Sequence, residues 1–342
     1  MGINIDITMV PIPPIPPNGG LADALAQTAT AVTPLRKLLP GKWVGSGFNL
    51  IFRPLVNQTD PDNPVAGAET FLELNLTHDT LEFTAIPGDI PNRGLFQRDI
   101  TLHGVTYLQQ ISDANVKQNG KPAGIHIEPG LWIDVEATTE PQVPASVARL
   151  ATIPHGTALT AVGTATTEAA QPAIPSAALD PTPFLIGNPQ SLVTLFHQLM
   201  TLGDAQTQPR RSPVSDTAGL NPKIVFDPRI VLREFIKGKQ FRGSTTRLQV
   251  STASGGNPAP IPGGGVSDIG FLDGTPEPAN APKPDNDENA RVAAMDATFW
   301  ISTFVTGNPP KTTHLLQYEQ LVLLNFNSLS WPHITVGNLL RQ

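Results

Sequence analysis

Residues 39–54, LPGKWVGSGFNLIFRP, decide the predicted fold. The stretch begins with a Pro-Gly turn signal, after which Trp43 opens an apolar run that is interrupted by Gly45 and Gly47. Glycine weakens a strand unless the strand bends sharply or lies very close to another backbone. A strand that curls to close a barrel has that need. The stretch therefore predicts the opening strand of an antiparallel β-barrel, with Trp43 plugging one end. An ordinary edge strand with a core tryptophan is the alternative.

The composition limits the class of protein. The chain has 342 residues, a net charge of −7 and no cysteine. No basic cluster is longer than two residues, as in Arg210-Arg211, whereas nucleic-acid binding needs a concentrated positive face. Without cysteine the chain forms no disulfide, zinc–cysteine site, thiolate nucleophile or covalent c-type haem. We therefore expect no nucleic-acid partner.

The N-terminal segment differs from the rest of the chain. Residues 1–38 combine a proline-rich stretch, which favours an extended conformation, with a helical pattern that we expect to cap one end of the barrel. The stretch MVPIPPIPP has too many prolines for a signal peptide, and no apolar run is long enough to span a membrane. We therefore expect a soluble, cytoplasmic protein with an N-terminal arm at 1–38 and a barrel domain at 39–342.

The barrel domain is predicted from two blocks of strands. Short apolar runs at regular spacing over 43–164 and 291–326 are typical of consecutive antiparallel strands. Within the first block, His78-Asp79 is interpreted as a tight turn. The residues after 327 are predicted to end in a helical turn. The fold class is therefore mainly β, with a single large antiparallel barrel built from both ends of the chain.

Helical signals separate the two blocks. An asparagine cap, a proline at the first position and a glycine stop predict a helix over 188–203, and similar signals predict another over 227–238. We expect this helical insertion, at about 185–240, to pack on the outside of the barrel or over its mouth.

The opening strand and the strands that follow resemble a known group of barrels. Gly41-Lys42-Trp43, followed by meander strands, resembles the Gly-x-Trp opening strand of the calycins: lipocalins, fatty-acid-binding proteins and nitrobindins. The chain looks most like the nitrobindin-type haem-binding barrels, whose closing strand carries a histidine that binds haem iron. The resemblance implies a calycin-like barrel and a haem ligand at His314, in the stretch THLLQY.

The alternation along residues 312–324 supports a cofactor site. His314 and Tyr318 share the more apolar face of this strand, so we expect both to point into the barrel. A neutral imidazole in an apolar pocket is a good haem ligand. His314, Tyr318 and Trp43 are therefore the candidate cofactor-binding residues. A core histidine bonded to a neighbour is the alternative reading of His314.

A second set of residues suggests catalysis. His126 and Glu128 are two positions apart on a predicted strand and share a face, while the isoleucines that alternate with them are expected to face the core. His155 lies in a Pro-His-Gly turn at the predicted rim, and Arg149 could neutralise Glu128. If they line a cavity, His126, Glu128 and His155 are candidates for acid–base catalysis or for holding a metal. A solvated polar strand face is the alternative.

These observations lead to one function and two rivals. We expect the barrel to bind a hydrophobic small molecule, or haem as cofactor, inside its cavity. An enzyme that uses the His126–Glu128–His155 set in the same cavity is the first alternative. A structural protein that binds partners through its proline-rich arm is the second. No membrane span is expected, and the sequence does not indicate an oligomeric state.

Overall fold

The computed structural model describes most of the predicted barrel domain. The predicted arm, apart from its last four residues, and most of the predicted helix over 188–203 lie outside the described residues. Within them, no helix has the length and apolar character needed to cross a membrane. The described residues are 35–54, 70–192, 222–253, 261–274, 288–326 and 328–342.

Ten strands form the wall of one closed antiparallel barrel, and shorter elements lie beside it. The barrel strands are β1 (Gly41–Pro54), β2 (Thr70–Ala85), β4 (Ile100–Gln118), β5 (Lys121–Val135), β8 (Ser146–Ile153), β9 (Thr157–Glu168), β12 (Thr245–Ser251), β14 (Arg291–Thr306), β15 (Lys311–Phe326) and β16 (Leu329–Arg341). The short strands are β3 (Ile90–Asn92), β6 (Thr138–Thr139), β7 (Gln142–Val143), β10 (Phe184–Leu185), β11 (Gln240–Phe241) and β13 (Gly265–Asp268). The helices among the described residues are α1 (Leu35–Leu38), α2 (Arg229–Ile236), α3 (Gly270–Asp273) and a 3-10 turn at Pro222–Val225.

The first and last strands close the barrel. β1 pairs with β2 on one side and with β16 on the other, so both ends of the described chain contribute to one wall, as predicted. The prediction of a helical turn near the C-terminus is wrong, because those residues form β16. Apolar residues occupy both faces of this strand: Val336 belongs to a cluster on the outer face, and Leu339 packs inside. The simple alternation that marks a half-exposed strand is therefore missing.

Glycine is required where β1 meets β16. A Cβ atom at Gly45 would lie 1.9 Å from the carbonyl oxygen of Asn338, and one at Gly47 would lie 1.9 Å from that of Val336. Any side chain at either position would force the two backbones apart. The close approach predicted from the glycines is confirmed.

One end of the barrel is filled by Trp43; we call it the tryptophan end. Trp43 is 0% exposed, and its indole nitrogen donates a hydrogen bond of 2.8 Å to the carbonyl oxygen of Leu39. Leu35 and Leu39 pack in the same cluster, and the backbone N–H of Leu35, where α1 begins, donates to Asp134 Oδ2 at 3.3 Å. The chain just before β1 therefore caps this end. The opposite end, where β1 finishes, is called the far end.

A second hydrophobic cluster lies on the outside of the wall. Leu232 of α2 packs in one cluster with Phe48, Leu50 and Ile334, which are on the outer faces of β1 and β16. Gln317, also on an outer face, donates 2.9 Å to the carbonyl oxygen of Leu232. The predicted helix over 227–238 is therefore present as α2 and covers the outside of the barrel.

Candidate site inside the barrel

The even-numbered residues of β5 point into the barrel. Trp132 belongs to the interior cluster, and Glu128, which shares its face, is completely buried. His126 is the next inward residue towards the far end, and its side chain is 18% exposed. Ile127 lies on the outer face and is 40% exposed. The isoleucine face was expected to be the core; the reverse is true at this position, because the barrel buries the polar face of β5.

Arg149 lies at the centre of the buried polar residues. Its Nη2 is 2.5 Å from Glu128 Oε1, which confirms the predicted pairing. Its Nε donates to the Tyr107 hydroxyl at 2.9 Å, and its Nη1 donates to Gln320 Oε1 at 2.7 Å. Tyr107 in turn donates to Glu128 Oε1. The guanidinium also lies 5.4 Å from the ring centroid of Phe299, within the range of a cation–π contact. Arg149 therefore has both charged and apolar partners.

Glu128 is held in its ionised form. Burial alone raises its pKa, but the attraction of Arg149 and the hydrogen bond to His126 outweigh burial and lower the pKa to about 2. Glu128 is therefore a permanent negative charge near neutral pH.

The two predicted histidines connect Glu128 to the rim. His126 Nε2 lies 3.2 Å from Glu128 Oε2. The rings of His126 and His155 are stacked, with centroids 5.6 Å apart, and His155 is exposed in the turn between β8 and β9. The structure therefore brings all three predicted catalytic residues together, in a line from the surface to the buried carboxylate.

Asp79 is a site residue that sequence reasoning missed. β2 continues through the predicted His78-Asp79 turn, and Asp79 faces inward. Its Oδ2 accepts hydrogen bonds of 2.6 Å from the Tyr318 hydroxyl and 3.0 Å from Gln109 Nε2. Burial raises its pKa to about 6, against the opposing effect of these two hydrogen bonds. The missed signal is the alternation Glu73, Asn75, Thr77, Asp79, which continues the strand through the apparent turn.

Side chains from opposite walls meet across the interior. Arg149 on β8 reaches Gln320 on β15, and Gln109 on β4 donates 3.2 Å to the Tyr318 hydroxyl on β15. In each case at least three strands separate the two partners around the wall. We call this group the cross-lumen layer; it consists of Asp79, Tyr107, Gln109, Glu128, Arg149, Tyr318 and Gln320.

Both tyrosines of the layer lie over glycines. A Cβ atom at Gly130 would lie 2.6 Å from the Tyr107 ring, and one at Gly337 would lie 2.4 Å from the Tyr318 ring. Each glycine is paired with its tyrosine on the neighbouring strand. The two glycines therefore provide the space in which the rings lie flat against the wall.

Beyond the layer, towards the far end, the interior has two kinds of surface. One, here called the polar wall, consists of inward residues of β1, β2 and β4: Asn49, Glu73, Asn75, Thr77 and Asp113. The other, the apolar wall, consists of inward residues of β8, β9, β14 and β15: Ile153, Leu159, Met295 and Val322. Asp79, at the edge of the layer, adjoins the polar wall.

Three buried oxygen atoms of this region have no hydrogen-bond partner in the structure. They are Asn75 Oδ1, Asp79 Oδ1 and Asp113 Oδ2. Leaving a buried polar atom unpaired costs about 1–3 kcal/mol, so such atoms require an explanation.

The predicted cofactor residues are in three different surroundings. Trp43 fills the tryptophan end, and Tyr318 belongs to the cross-lumen layer. His314 shares the strand face of Tyr318, as predicted, but it lies at the rim and is exposed, with Nδ1 3.2 Å from Thr303 Oγ1. The expectation that His314 points into a buried interior is wrong, because β15 has reached the end of the barrel at this position. These residues do not fit a haem held inside the barrel by His314.

Within the described part of the chain, no group of three or more His, Asp or Glu side chains is placed to hold a metal ion. Comparisons of this chain with protein-family models, with curated proteins and with solved structures find no match.

Proposed function

We propose that the protein binds a small molecule inside the far half of its barrel. The observation that carries this proposal is the set of three unpaired buried oxygens on or beside the polar wall. Native proteins satisfy nearly all buried polar atoms, and a bound ligand with suitable donors would satisfy these.

The side chains inside the barrel favour a ligand site in the far half over one at the tryptophan end. At the tryptophan end, Trp43 and its neighbours fill the space. The cross-lumen layer crosses the interior between these side chains and the polar wall, while the apolar cluster continues past it to Leu159, Met295 and Val322. A barrel of eight strands has room for one small ligand at most, and the interior widens with each added strand. Ten strands therefore favour a ligand site in the half that carries unpaired atoms.

Because the far half has a polar wall as well as an apolar wall, the expected ligand differs from the hydrophobic molecule predicted from the sequence. A purely hydrophobic molecule would pack well on the apolar wall, but it would leave the unpaired oxygens without donors. The geometry favours an amphipathic molecule, with an apolar body and a polar group. The resemblance to calycin-like barrels supports an internal ligand in the same way, without indicating which one. Haem binding stays a prediction; the geometry offers it no internal iron ligand at His314.

A screen of small molecules by ligand-detected NMR tests the proposal. Thr77 is buried on the polar wall, so Thr77→Phe would place an aromatic ring beside the unpaired oxygens of Asn75, Asp79 and Asp113. Thr84 is on the outer face of the same strand and is exposed, so Thr84→Phe is the matched control. We expect ligands whose binding is lost in Thr77→Phe and kept in Thr84→Phe, with both variants folded by circular dichroism. If no compound shows this difference, the proposal fails.

Acid–base catalysis is the second candidate, because the pKa values of two of the interior carboxyl groups are shifted in opposite directions. The pKa of Asp79 is raised to about 6 and that of Glu128 is lowered to about 2. Such a separation is typical of acid–base pairs in enzymes, and His126 lies against Glu128. Assays with chromogenic esters, phosphates and glycosides test this candidate. Turnover that is lost in His126→Gln and in Asp79→Asn, and kept in the outer-face variant Glu82→Gln, would support it; no turnover with any substrate would count against it.

A further inference from the structure

The unpaired oxygens in the far half share one chemical property: all three are hydrogen-bond acceptors. The orientation of the Asn75 amide is fixed, because its Nδ2 donates to Asn49 Oδ1 at 2.9 Å and to Glu73 Oε1 at 3.1 Å. Its Oδ1 is therefore the free acceptor. Asp113 Oδ1 accepts from the backbone N–H groups of Asn115 and Val116 at 2.8 and 2.9 Å, which leaves Oδ2 unpaired.

Asp79 likewise has one bonded and one unpaired carboxylate oxygen. Both of its hydrogen bonds, from Tyr318 and Gln109, end on Oδ2, and Oδ1 is buried with no donor. A molecule that satisfies these atoms must donate hydrogen bonds. A ligand that only accepts them, such as a carboxylate, would add to the imbalance.

The charges near these atoms also favour a ligand that donates hydrogen bonds. Asp79 and Asp113 both have a buried carboxyl oxygen without a partner. Arg149, whose guanidinium is buried in the cross-lumen layer, is already bonded to Glu128, Tyr107 and Gln320. A buried carboxylate without a compensating charge is costly, so a positively charged donor would be stabilised here.

Strand register places the two carboxyl groups within reach of one ligand group. Asp113 pairs with Thr77 in the β2–β4 ladder, and Asp79 is two residues along β2 from Thr77. The two aspartates are therefore diagonal neighbours on the inner face, and diagonal neighbours in a sheet have Cα atoms about 7–8 Å apart. A single ammonium group, with three N–H donors, can bond to side chains at that spacing.

We propose that the ligand is an amphipathic primary amine whose ammonium group is bound between Asp79 and Asp113. Its alkyl or aryl body lies on the apolar wall, against Leu159, Met295 and Val322. This inference rests on the proposed binding function and adds the chemical class of the ligand.

Three probes of equal chain length separate the classes: hexylamine, hexan-1-ol and hexanoate. Their affinities are measured by NMR titration at pH 7.5. We expect hexylamine to bind about tenfold more tightly than hexan-1-ol, because a charge-assisted hydrogen bond is about twice as strong as a neutral one, and hexanoate to bind weakest.

The variant Asp79→Asn tests the anchor. Asparagine retains an oxygen that can accept from Tyr318 and Gln109, but it replaces the unpaired acceptor with a donor. We expect this variant to lose most of the preference for hexylamine over hexan-1-ol. Glu82→Gln removes one negative charge from the exposed outer face of the same strand and is expected to change nothing. Asp113→Asn is the second test, should Asp79→Asn fold poorly.

Each outcome has a distinct meaning. If hexan-1-ol or hexanoate binds as tightly as hexylamine, the amine class is wrong while small-molecule binding survives. If hexylamine binds equally to wild type, Asp79→Asn and Asp113→Asn, the anchor is wrong. If none of the three binds, the inference is wrong, and the proposed function is then decided by the library screen with Thr77→Phe.

Discussion

The hydroxyl of Tyr318 donates a 2.6 Å hydrogen bond to Oδ2 of Asp79, a residue 239 positions earlier in the chain. Tyr318 is on β15 and Asp79 is on β2, with β16 and β1 between them. The bond therefore passes over the seam where the first and last strands close the barrel. Formation of this buried contact depends on barrel closure, so the ionisation of Asp79 should report on the folded state.

Asp79 should make stability fall as the pH rises from about 4 to about 6. Burial raises its pKa from 3.8 in the unfolded chain to about 6 in the folded protein. Between these values the folded protein holds a proton that the unfolded chain has lost, so the unfolding free energy decreases with pH. A shift of about two units corresponds to about 3 kcal/mol. Urea denaturation of wild type and Asp79→Asn from pH 4 to 8 measures this change in unfolding free energy.

The difference between the two proteins is the informative quantity. We expect Asp79→Asn to gain stability relative to wild type by about 3 kcal/mol between pH 4 and pH 7. Glu82→Gln, on the exposed face of the same strand, should track wild type throughout. A constant difference between wild type and Asp79→Asn would show that Asp79 ionises equally in both states.

Trp43 should contribute strongly to stability. Its side chain is fully buried and hydrogen-bonded to the backbone of Leu39 at the tryptophan end. Trp43→Ala removes a large core aromatic, for which losses of about 3–5 kcal/mol are typical. Chemical denaturation measures this loss. A value below about 1 kcal/mol would mean that the indole does not plug the barrel.

The opening strand could be predicted because its signals are local. The Pro-Gly turn, Trp43 and the two glycines lie within a few residues of one another, and each has a direct structural consequence. The same is true of α2, whose start and stop signals are in the sequence. The pairing of Arg149 with Glu128 could be predicted from their opposite charges.

Asp79 and β16 were missed because both faces are covered along β16 and along the first part of β2. On β2 the inward residues are polar up to Asp79 and apolar from Leu81 onward, while Leu74 on the outer face is apolar too. The apolar residues therefore switch from even to odd positions along β2, and this switch in the sequence resembles a break between two strands. Contacts across the interior, such as Arg149 with Gln320, depend on the closure and register of ten strands, which no local pattern contains.

Haem binding by His314 should be confined to the surface if it occurs. His314 is exposed at the rim, and the cross-lumen layer occupies the interior at Tyr318. We expect haemin added to the protein to give no sharp Soret band that depends on His314. Spectra of wild type and His314→Ala, recorded side by side, measure this. A sharp band in wild type that is lost in His314→Ala would restore the histidine as an iron ligand.

Glu128 makes the unfolding free energy depend on pH, and removal of its partner Arg149 should reverse the sign of that dependence. In the wild type the pKa of Glu128 is lowered from 4.5 to about 2, so its contribution to stability is present above about pH 4.5 and is lost as the pH falls towards 2. Arg149→Met removes the attraction that outweighs burial. The pKa of Glu128 should then rise above 4.5, and the variant should lose stability as the pH rises through that range.

Arg149→Met should destabilise the protein strongly, and Glu128→Gln should partly restore its stability. Removing one partner of a buried ion pair typically costs about 3–5 kcal/mol, because the remaining charge is left uncompensated. The double variant Arg149→Met/Glu128→Gln has no such charge, so we expect it to be more stable than Arg149→Met alone. Urea denaturation at pH 4 and pH 7 measures all three proteins. If Arg149→Met loses the same stability at both pH values, or if Glu128→Gln does not rescue it, Glu128 remains ionised and compensated by another group.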